Sequence, residues 1–342
     1  MNKHLKDAER WKKIVRSFAE VSVTVLADLV ADEFIFGEIA RVSREAPVLI
    51  LKHRERTVVP GGGANAVMNL ASLGVNVLPV GVVGDDEPGT LLLEAMREKR
   101  ISVAGIHRLK RHPTTTKTRI LAGMSHNSRQ QVVRVDREAE PLGEMHPELL
   151  NLINAAREYA TASDGMLVSD YGYGAATPRL LTFVKSNGCL ENKPITVDSR
   201  YRILDYEGAT AATPNEPEVE EALGIKIGND DQKLIEAGEE LMDELKLESL
   251  VITRGRDGMV AFERDAKPVM IPIYGSDQVV DVTGAGDTVI ATYTAALGAG
   301  ADTVDAARLA NFAGGVVVMK RGTATVSNKE LLAAIDQYAT TT

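Results

Sequence analysis

The sequence predicts an α/β protein: a doubly wound, mostly parallel sheet flanked by helices, with a small separate β-sheet as a lid. Three observations carry this reading. Beyond residue 147, apolar strand-like runs alternate with helical periodicities, the pattern of βαβ units. Residues 33–59 and 101–136 instead concentrate β-formers with no helix inside either region, which sets them apart from a parallel sheet. Glycine-rich turns at 60–65 and 284–286 open helices at places where strands have just ended.

The elements follow in order. Residues 7–18 place Ala8, Trp11, Ile14, Val15 and Phe18 at helical spacing, so a helix lays one apolar face on the body. The β-branched run 21–26 is the first core strand and delivers Asp28 and Asp32 near its C-terminal end. Segments 33–39 and 48–59 read as a hairpin outside the main sheet. A helix follows the glycines, with Val67, Leu70, Ala71 and Leu73 on one side, and Gly74 ends it. Residues 75–83 form a strand closed by Gly84-Asp85-Asp86, and 89–99 a helix. Segments 101–109, 116–121 and 131–135 join the hairpin as an antiparallel lid over the substrate.

Helix 149–161, strand 165–171, helix 177–186, strand 194–198 and short strand 209–212 then make a right-handed βαβ series. Its strand ends supply Asp170, Asp198 and Asn215. Strand 250–255, edge strands 258–262 and 267–273, a long small-residue helix after Gly284 and a second one over 306–320 complete the pattern.

The whole chain of 342 residues suits one large domain with a small appendage, and a single unit over 1–342 is expected. Hydrophobic residues at 44% and charged residues at 25% are ordinary for a soluble globular protein. A net charge of −9 disfavours nucleic acid as a partner, so converging basic residues serve a small anionic ligand. Cys189 is the sole cysteine, which excludes an intramolecular disulfide and a cysteine-built metal cluster. The charged segment 1–19 lacks the apolar core of a secretory signal and no run reaches membrane-spanning length, so a cytoplasmic setting without membrane partners is expected.

The strongest chemical signal is Asp281-Val282-Thr283-Gly284-Ala285-Gly286-Asp287-Thr288. Gly284 and Gly286 lack the Cβ atoms that would hold an anion away, so amides at a helix N-terminus can converge on phosphate oxygens. Asp287, in or just before the first turn, can take the proton of a hydroxyl that attacks the phosphorus held there. Taken bare, Gly-x-Gly-Asp also reads as a turn with an ordinary N-cap.

Other residues carry paired readings. Asp28 and Asp32 can grip sugar hydroxyls or act as capping acids. Gly61 and Gly62 let a ligand lie against the backbone; Ala66 breaks the dinucleotide Gly-x-Gly-x-x-Gly spacing, which speaks against a dehydrogenase. Lys117, Arg119 and Arg134 can neutralise a phosphate already on the sugar, or are solvated cross-strand charges. Asn215 and Glu218, three apart at a helix start, can hold waters around magnesium, or simply cap the helix. Arg254 can meet phosphate or sit in a surface salt bridge.

Segment 281–288 closely resembles the signature near the C-terminal end of ribokinase-like (PfkB-type) sugar kinases, and 215–218 resembles the Asn-x-x-Glu signature that precedes it in that family. The similarity runs from about Val21 to the end. It implies a ribokinase-like fold, with Asp287 as the base and the amides of Gly284, Ala285 and Gly286 as the anion hole. It places the sugar against Gly61, Gly62, Asn65, Asp28, Asp32 and Asp170, under lid residues Lys117, Arg119 and Arg134. It sets ATP along Thr253, Arg254, Gly255 and Thr283, with adenine bordered by Asn311 and Gly315. Mg2+ accompanies ATP near Asn215 and Glu218, through water, and Asp281 is a candidate for a monovalent cation such as K+.

Stretches 28–37, 43–48, 60–65, 113–119 and 281–288 resemble the branch that phosphorylates D-glycero-D-manno-heptose 7-phosphate at O1, supplying ADP-heptose precursors for lipopolysaccharide. Some of those proteins carry a fused nucleotidyltransferase domain, and the present chain ends before one would fit. Ala27 stands where relatives usually have glycine, Arg44 where they have proline, and Ser199-Arg200 where they have Pro-Lys; each is expected near the substrate pocket. Pairing of lids implies a homodimer. The alternatives are a PfkB-type kinase of fructose phosphate, ribose or a nucleoside, or a non-catalytic nucleotide- or sugar-binding regulator.

Overall fold

The computed structural model describes residues 3–123, 130–143, 146–275 and 280–341. Helix α1 (Lys3–Ser17) leads into β1 (Ser22–Ala27), β2 (Leu29–Val42), β3 (Leu49–Gly62), α2 (Gly63–Ser72), β4 (Asn76–Gly84), α3 (Glu87–Glu98) and β5 (Ile106–Leu109). Then come β6 (Thr116–Gly123), β7 (Gln130–Arg137), α4 (Glu148–Ala162), β8 (Gly165–Asp170), α5 (Pro178–Lys185), β9 (Ile195–Ser199) and β10 (Ala211–Ala212). Helices α6 (Glu216–Leu223) and α7 (Asp231–Leu245), strands β11 (Ser249–Thr253), β12 (Met259–Glu263) and β13 (Val269–Ile271), and helices α8 (Ala285–Gly298), α9 (Thr303–Val317) and α10 (Asn328–Thr341) follow.

The larger sheet runs β13-β12-β11-β10-β9-β8-β1-β4-β5. Its pairs from β11 to β5 are parallel, and β12 and β13 form an antiparallel edge. Strand β8 is buried along its whole length and reads as an apolar run, as a strand covered on both faces must. Two apolar clusters occupy the two sides, one holding α2, α8 and α9 against the sheet, the other α4, α5 and α7. Helix α1 docks as expected: Trp11 meets Phe312 at 5.5 Å and Tyr338 at 5.8 Å between ring centroids. Its indole Nε1 donates to Asp305 at 2.7 Å, so the one polar atom of that ring is satisfied.

The smaller sheet has the order β3-β2-β6-β7. Two expectations need correction here. Segment 101–109 is not part of the lid: β5 pairs in parallel with β4 in the main sheet, because α3 provides the crossover of an ordinary βαβ unit. Nor is the lid purely antiparallel, for β2 pairs in parallel with β6 while the outer pairs are antiparallel. Strand β6 enters after the excursion through β4, α3 and β5, so no hairpin ties its direction to β2.

Helices α7 and α10 were not anticipated. Leu234, Ala237, Leu241 and Leu245 of α7 are all buried at three- and four-residue steps, so periodicity alone carried that signal. Gly238 lies on the same face, and a Cβ there would overlap the ring of Phe262. Cys189 is half-buried, its thiol directed to the Val184 carbonyl at 3.4 Å. No helix among the described residues is long and apolar enough to cross a membrane.

Candidate active site

Strands β1, β8 and β9 end side by side, and the helix starts of α2, α6 and α8 meet above them. Gly284 is the N-cap of α8 at φ +76°, in the left-handed region that glycine adopts freely. Its missing Cβ matters twice, since one built there would overlap the amide of Asn65. The freed space lets Asn65 Nδ2 donate to Asp287 Oδ2 at 2.9 Å, while the Tyr171 hydroxyl donates to Oδ1 at 2.8 Å. Asn69 continues the chain, donating to Asn65 and accepting from Thr288 Oγ1.

Asp287 is 4% exposed. Burial pushes its carboxyl up to about 6, the donors Asn65 and Tyr171 and the nearby Lys117 pull it down, and Asp32 raises it. A carboxylate poised there is ionised at neutral pH yet basic enough to accept a proton. Of the three amides expected to form an anion hole, that of Ala285 turns back to the Val282 carbonyl at 3.1 Å. Among the described residues the amides of Gly284, Gly286 and Asp287 meet no acceptor, and a Cβ on Gly286 would meet only open space.

Beside Asp287 lies a cleft of about 380 Å³ lined by Asp198, Arg200, Asn215, Glu218, Thr253 and Gly286, among others. Asn215 and Glu218 form a reciprocal cap: Asn215 Oδ1 accepts from the Glu218 amide and Glu218 Oε2 accepts from the Asn215 amide, both at 2.9 Å. One carboxylate oxygen of Glu218 is left for the cleft. Burial raises the carboxyls of Glu218 and Asp198, and Asp198 is driven well above the usual range, also by Glu218, Asp287 and Asp170. No group of three or more His, Cys, Asp or Glu among the described residues is arranged to hold a metal unaided.

The two early aspartates part company. Asp28 is 1% exposed and accepts the amides of Tyr171, Tyr173, Ala175 and Ala176 at 2.9–3.1 Å. Those bonds fill its carboxylate, so it shapes the loop after β8 instead of gripping a sugar. Burial and Asp170 push it up to about 6 against the pull of these amides. Asp32 accepts from Arg119 at 2.5 Å and from Thr323 at 3.0 Å, and a Cβ on Gly61 would overlap its carboxylate. Asp170 accepts from Arg202, Ser199 and Tyr206 and is likewise paired.

Of the lid cations, Arg119 is bound to Asp32 and Arg134 to Asp136 at 2.6 Å. Lys117 differs: its ammonium lies 5.6 Å from the centroid of the Tyr171 ring, and its cross-strand neighbours Asp32 and Asp136 are instead bonded to Arg119 and Arg134. Burial, then Arg200 and Arg134, lower its pKa. Arg254 donates to Glu216 at 2.7 Å and lies 3.0 Å from Asp231, and with Gly255 it lines an adjoining cavity of about 440 Å³ that shares Arg200, Asn215, Glu218 and Thr253 with the cleft beside Asp287. Thr253 bridges Asn215, and Gly255 begins a short 3-10 turn at φ +55°.

Asn311 donates to the Pro272 carbonyl at 2.8 Å and, with Gly315, lines a separate cavity of about 680 Å³ against Tyr274, Phe312 and Tyr338. Asp281 accepts the amides of Thr283 and Gly322 at 2.9 Å each. Burial opposes its ionisation, but those bonds and Arg119 outweigh it and hold it below the usual carboxylate range. Arg44 sits exposed between β2 and β3, twelve residues beyond Asp32 and so roughly 40 Å along an extended strand. It lies at the tip of the hairpin, away from the cleft. Ser199 binds Asp170, and Arg200 faces the cleft.

Sequence reasoning missed Tyr171 and gave Asp198 no role beyond a strand end, while Arg200, expected near the substrate pocket, does line the cleft. All three lie at or just past the C-terminal ends of β8 and β9, where ligands collect in such sheets, so strand-end position was the signal.

The family model for pfkB family carbohydrate kinases matches residues 29–330. The bifunctional protein HldE of Geobacter metallireducens is 40% identical over 318 residues, covering 92% of this chain and 63% of that protein. HldE of Geobacter sulfurreducens is 41% identical over 320 residues, with 92% and 63% covered. The chain thus spans 63% of the length of each of these relatives. Among solved structures, Arabidopsis thaliana ribokinase with ribose and ATP superposes with a TM-score of 0.71 at 18% identity, covering 92% of this chain and 98% of that one. Escherichia coli phosphofructokinase-2 with potassium gives 0.72 at 15% identity, covering 93% and 99%. Both share the fold.

Proposed function

The chain belongs to the pfkB family of carbohydrate kinases, and from that premise we propose that it transfers the γ-phosphoryl group of ATP to a sugar phosphate, with Asp287 as general base. The observation that carries the reading is the buried Asp287 carboxylate, held by Asn65 and Tyr171 beside unpaired amides at the start of α8. A substrate hydroxyl presented to Asp287 gives up its proton as its oxygen bonds to the γ-phosphorus, and the bond to the β,γ-bridging oxygen breaks, releasing ADP. The amides of Gly284, Gly286 and Asp287 stabilise charge on the phosphoryl oxygens without reorganising.

The cleft fits a magnesium–nucleotide pair: Asp198 and the free oxygen of Glu218 are an excess of negative charge that Arg200 alone faces. Magnesium, held there through water, would neutralise charge on the phosphates. Thr253 and Gly255 would border the triphosphate and Asn311 and Gly315 the base. A monovalent cation beside Asp281 remains part of the reading, as potassium is named with phosphofructokinase-2.

For the acceptor we favour O1 of D-glycero-D-manno-heptose 7-phosphate. Similarity to HldE over most of the chain supports this choice, as do Lys117 over the Tyr171 ring and Arg200 in the cleft that Tyr171 lines, two cations suited to a phosphate already on the sugar. The reaction belongs in the cytoplasm, where ATP is available.

The test is ADP release with Mg-ATP across heptose 7-phosphate, fructose 6-phosphate, fructose 1-phosphate, ribose and adenosine. Heptose 7-phosphate should be turned over, and Asp287→Asn should lower turnover by roughly 10²–10⁴-fold with the fold intact. Near-full activity in that variant would remove Asp287 from its role.

A further inference from the structure

Tyr171 is fixed on four sides. Its backbone amide donates to Asp28 Oδ2 at 2.9 Å and its hydroxyl to Asp287 Oδ1 at 2.8 Å. Lys117 of β6 lies 5.6 Å from its ring centroid, and Gly62 lacks the Cβ that would come within 3.4 Å of the ring edge. The residue follows β8 directly, so its position is inherited from the centre of the main sheet through the four amide bonds that Asp28 accepts. A tyrosine so tightly placed to donate one hydrogen bond to the base is more than loop filling.

We propose that Tyr171 is a positioning residue for the transfer reaction: its hydroxyl orients the Asp287 carboxylate and favours its ionised form, while the lid residue Lys117 seats the ring. Asn65 holds Oδ2 and Tyr171 holds Oδ1, which fixes the plane of the carboxylate. Each oxygen keeps a second lone pair, so a substrate hydroxyl can still donate to it. The bond favours the charged carboxylate because a hydroxyl donor is worth more to an anion than to a neutral acid.

Several charged groups face Asp287. Lys117 of β6 lies on the ring of Tyr171, and Asp32 of β2 opposes ionisation. Asp198 of β9 and Arg200 after it share the cleft. None of them donates a hydrogen bond to Asp287, so only Tyr171 and Asn65 set its orientation. Through its contact with the ring, Lys117 links the lid to Asp287 by one side chain.

The inference rests on Asp287 being the base, and two measurements separate its failure from the failure of that reading. In the first, Tyr171→Phe is compared with the parent by carbon-13 NMR titration of carboxyl-labelled aspartate, with Asp287→Asn identifying the resonance. The Asp287 titration should move upward by about one pH unit, and an unmoved titration would overturn the proposal whether or not any sugar is turned over. The second is the pH profile of turnover on the accepted substrate. Tyr171→Phe should lower kcat roughly tenfold to a hundredfold with KM for ATP unchanged, and the acid limb should shift upward with the NMR titration. A fall in kcat with an unshifted limb would reduce Tyr171 to a packing residue and refute the orienting role.

Discussion

Asp287 and Gly284 are coupled through Asn65. The amide of Asn65 can reach Asp287 only because position 284 carries no Cβ, and Gly284 holds φ +76°, where other residues are strained. Gly284→Ala should therefore act twice. It should destabilise the protein by about 1–2 kcal/mol from the left-handed backbone, read as a lower denaturant midpoint. It should also cut kcat about a hundredfold by pushing Asn65 off the base, and normal turnover in a destabilised Gly284→Ala would show that Asn65 is dispensable. That Asp287 stands at a glycine-opened helix start was legible from the pattern around it. The hydrogen bond from Tyr171 was not, because a single aromatic after a strand has no motif, and only the folded loop shows where its hydroxyl goes.

Among the elements, α3 shows how one acid joins body and lid. Asp86 N-caps it through the Gly89 amide at 3.1 Å and accepts from the amide and hydroxyl of Thr114 at 3.0 and 2.6 Å. Arg137 of β7 lies 3.2 Å from the same carboxylate. The segment entering β6 is thereby tied to the start of α3. Asp86→Ala should cost roughly 1–2 kcal/mol, the value of a cap with its partners left wanting, visible as a fall in melting temperature. Unchanged stability would mean that water replaces the carboxylate at no cost.

The elements themselves were mostly readable. Strong periodicity gave α1, α4 and α5, and β-branched runs gave β1 and β8. What failed was pairing: β5 has the composition of a lid strand, and nothing local distinguishes a strand that joins β4 from one that joins β6. Strand partners are set by tertiary packing, here by α3 returning the chain to the main sheet.

On the scale of the whole molecule, the lid leaves an apolar face open. Val132, Val133 and Val135 of β7 are 44–53% exposed, and Val42, Val48 and Leu49 at the hairpin end are 43–60% exposed. A four-stranded sheet with that much uncovered aliphatic surface is expected to pair with a second copy. Light scattering at micromolar concentration should give about twice 36.8 kDa, and Val133→Lys with Val135→Lys should return a single chain. A 36.8 kDa species for the parent would reject pairing. The expectation of a lid came from helix-free β-rich stretches, but its open face became visible only once the register of β6 and β7 was known.

The interlock of Asn65, Gly284 and Asp287 also orders the routes by which this sequence can drift. A side chain enters position 284 without displacing residue 65 only after residue 65 has shortened, and residue 65 can shorten without loss only once nothing is asked of residue 287. Among descendants of this chain, a lineage that has acquired any side chain at 284 should already have abandoned phosphoryl transfer. The three positions would then read as a clock of lost activity, with 287 free to change first and 284 last.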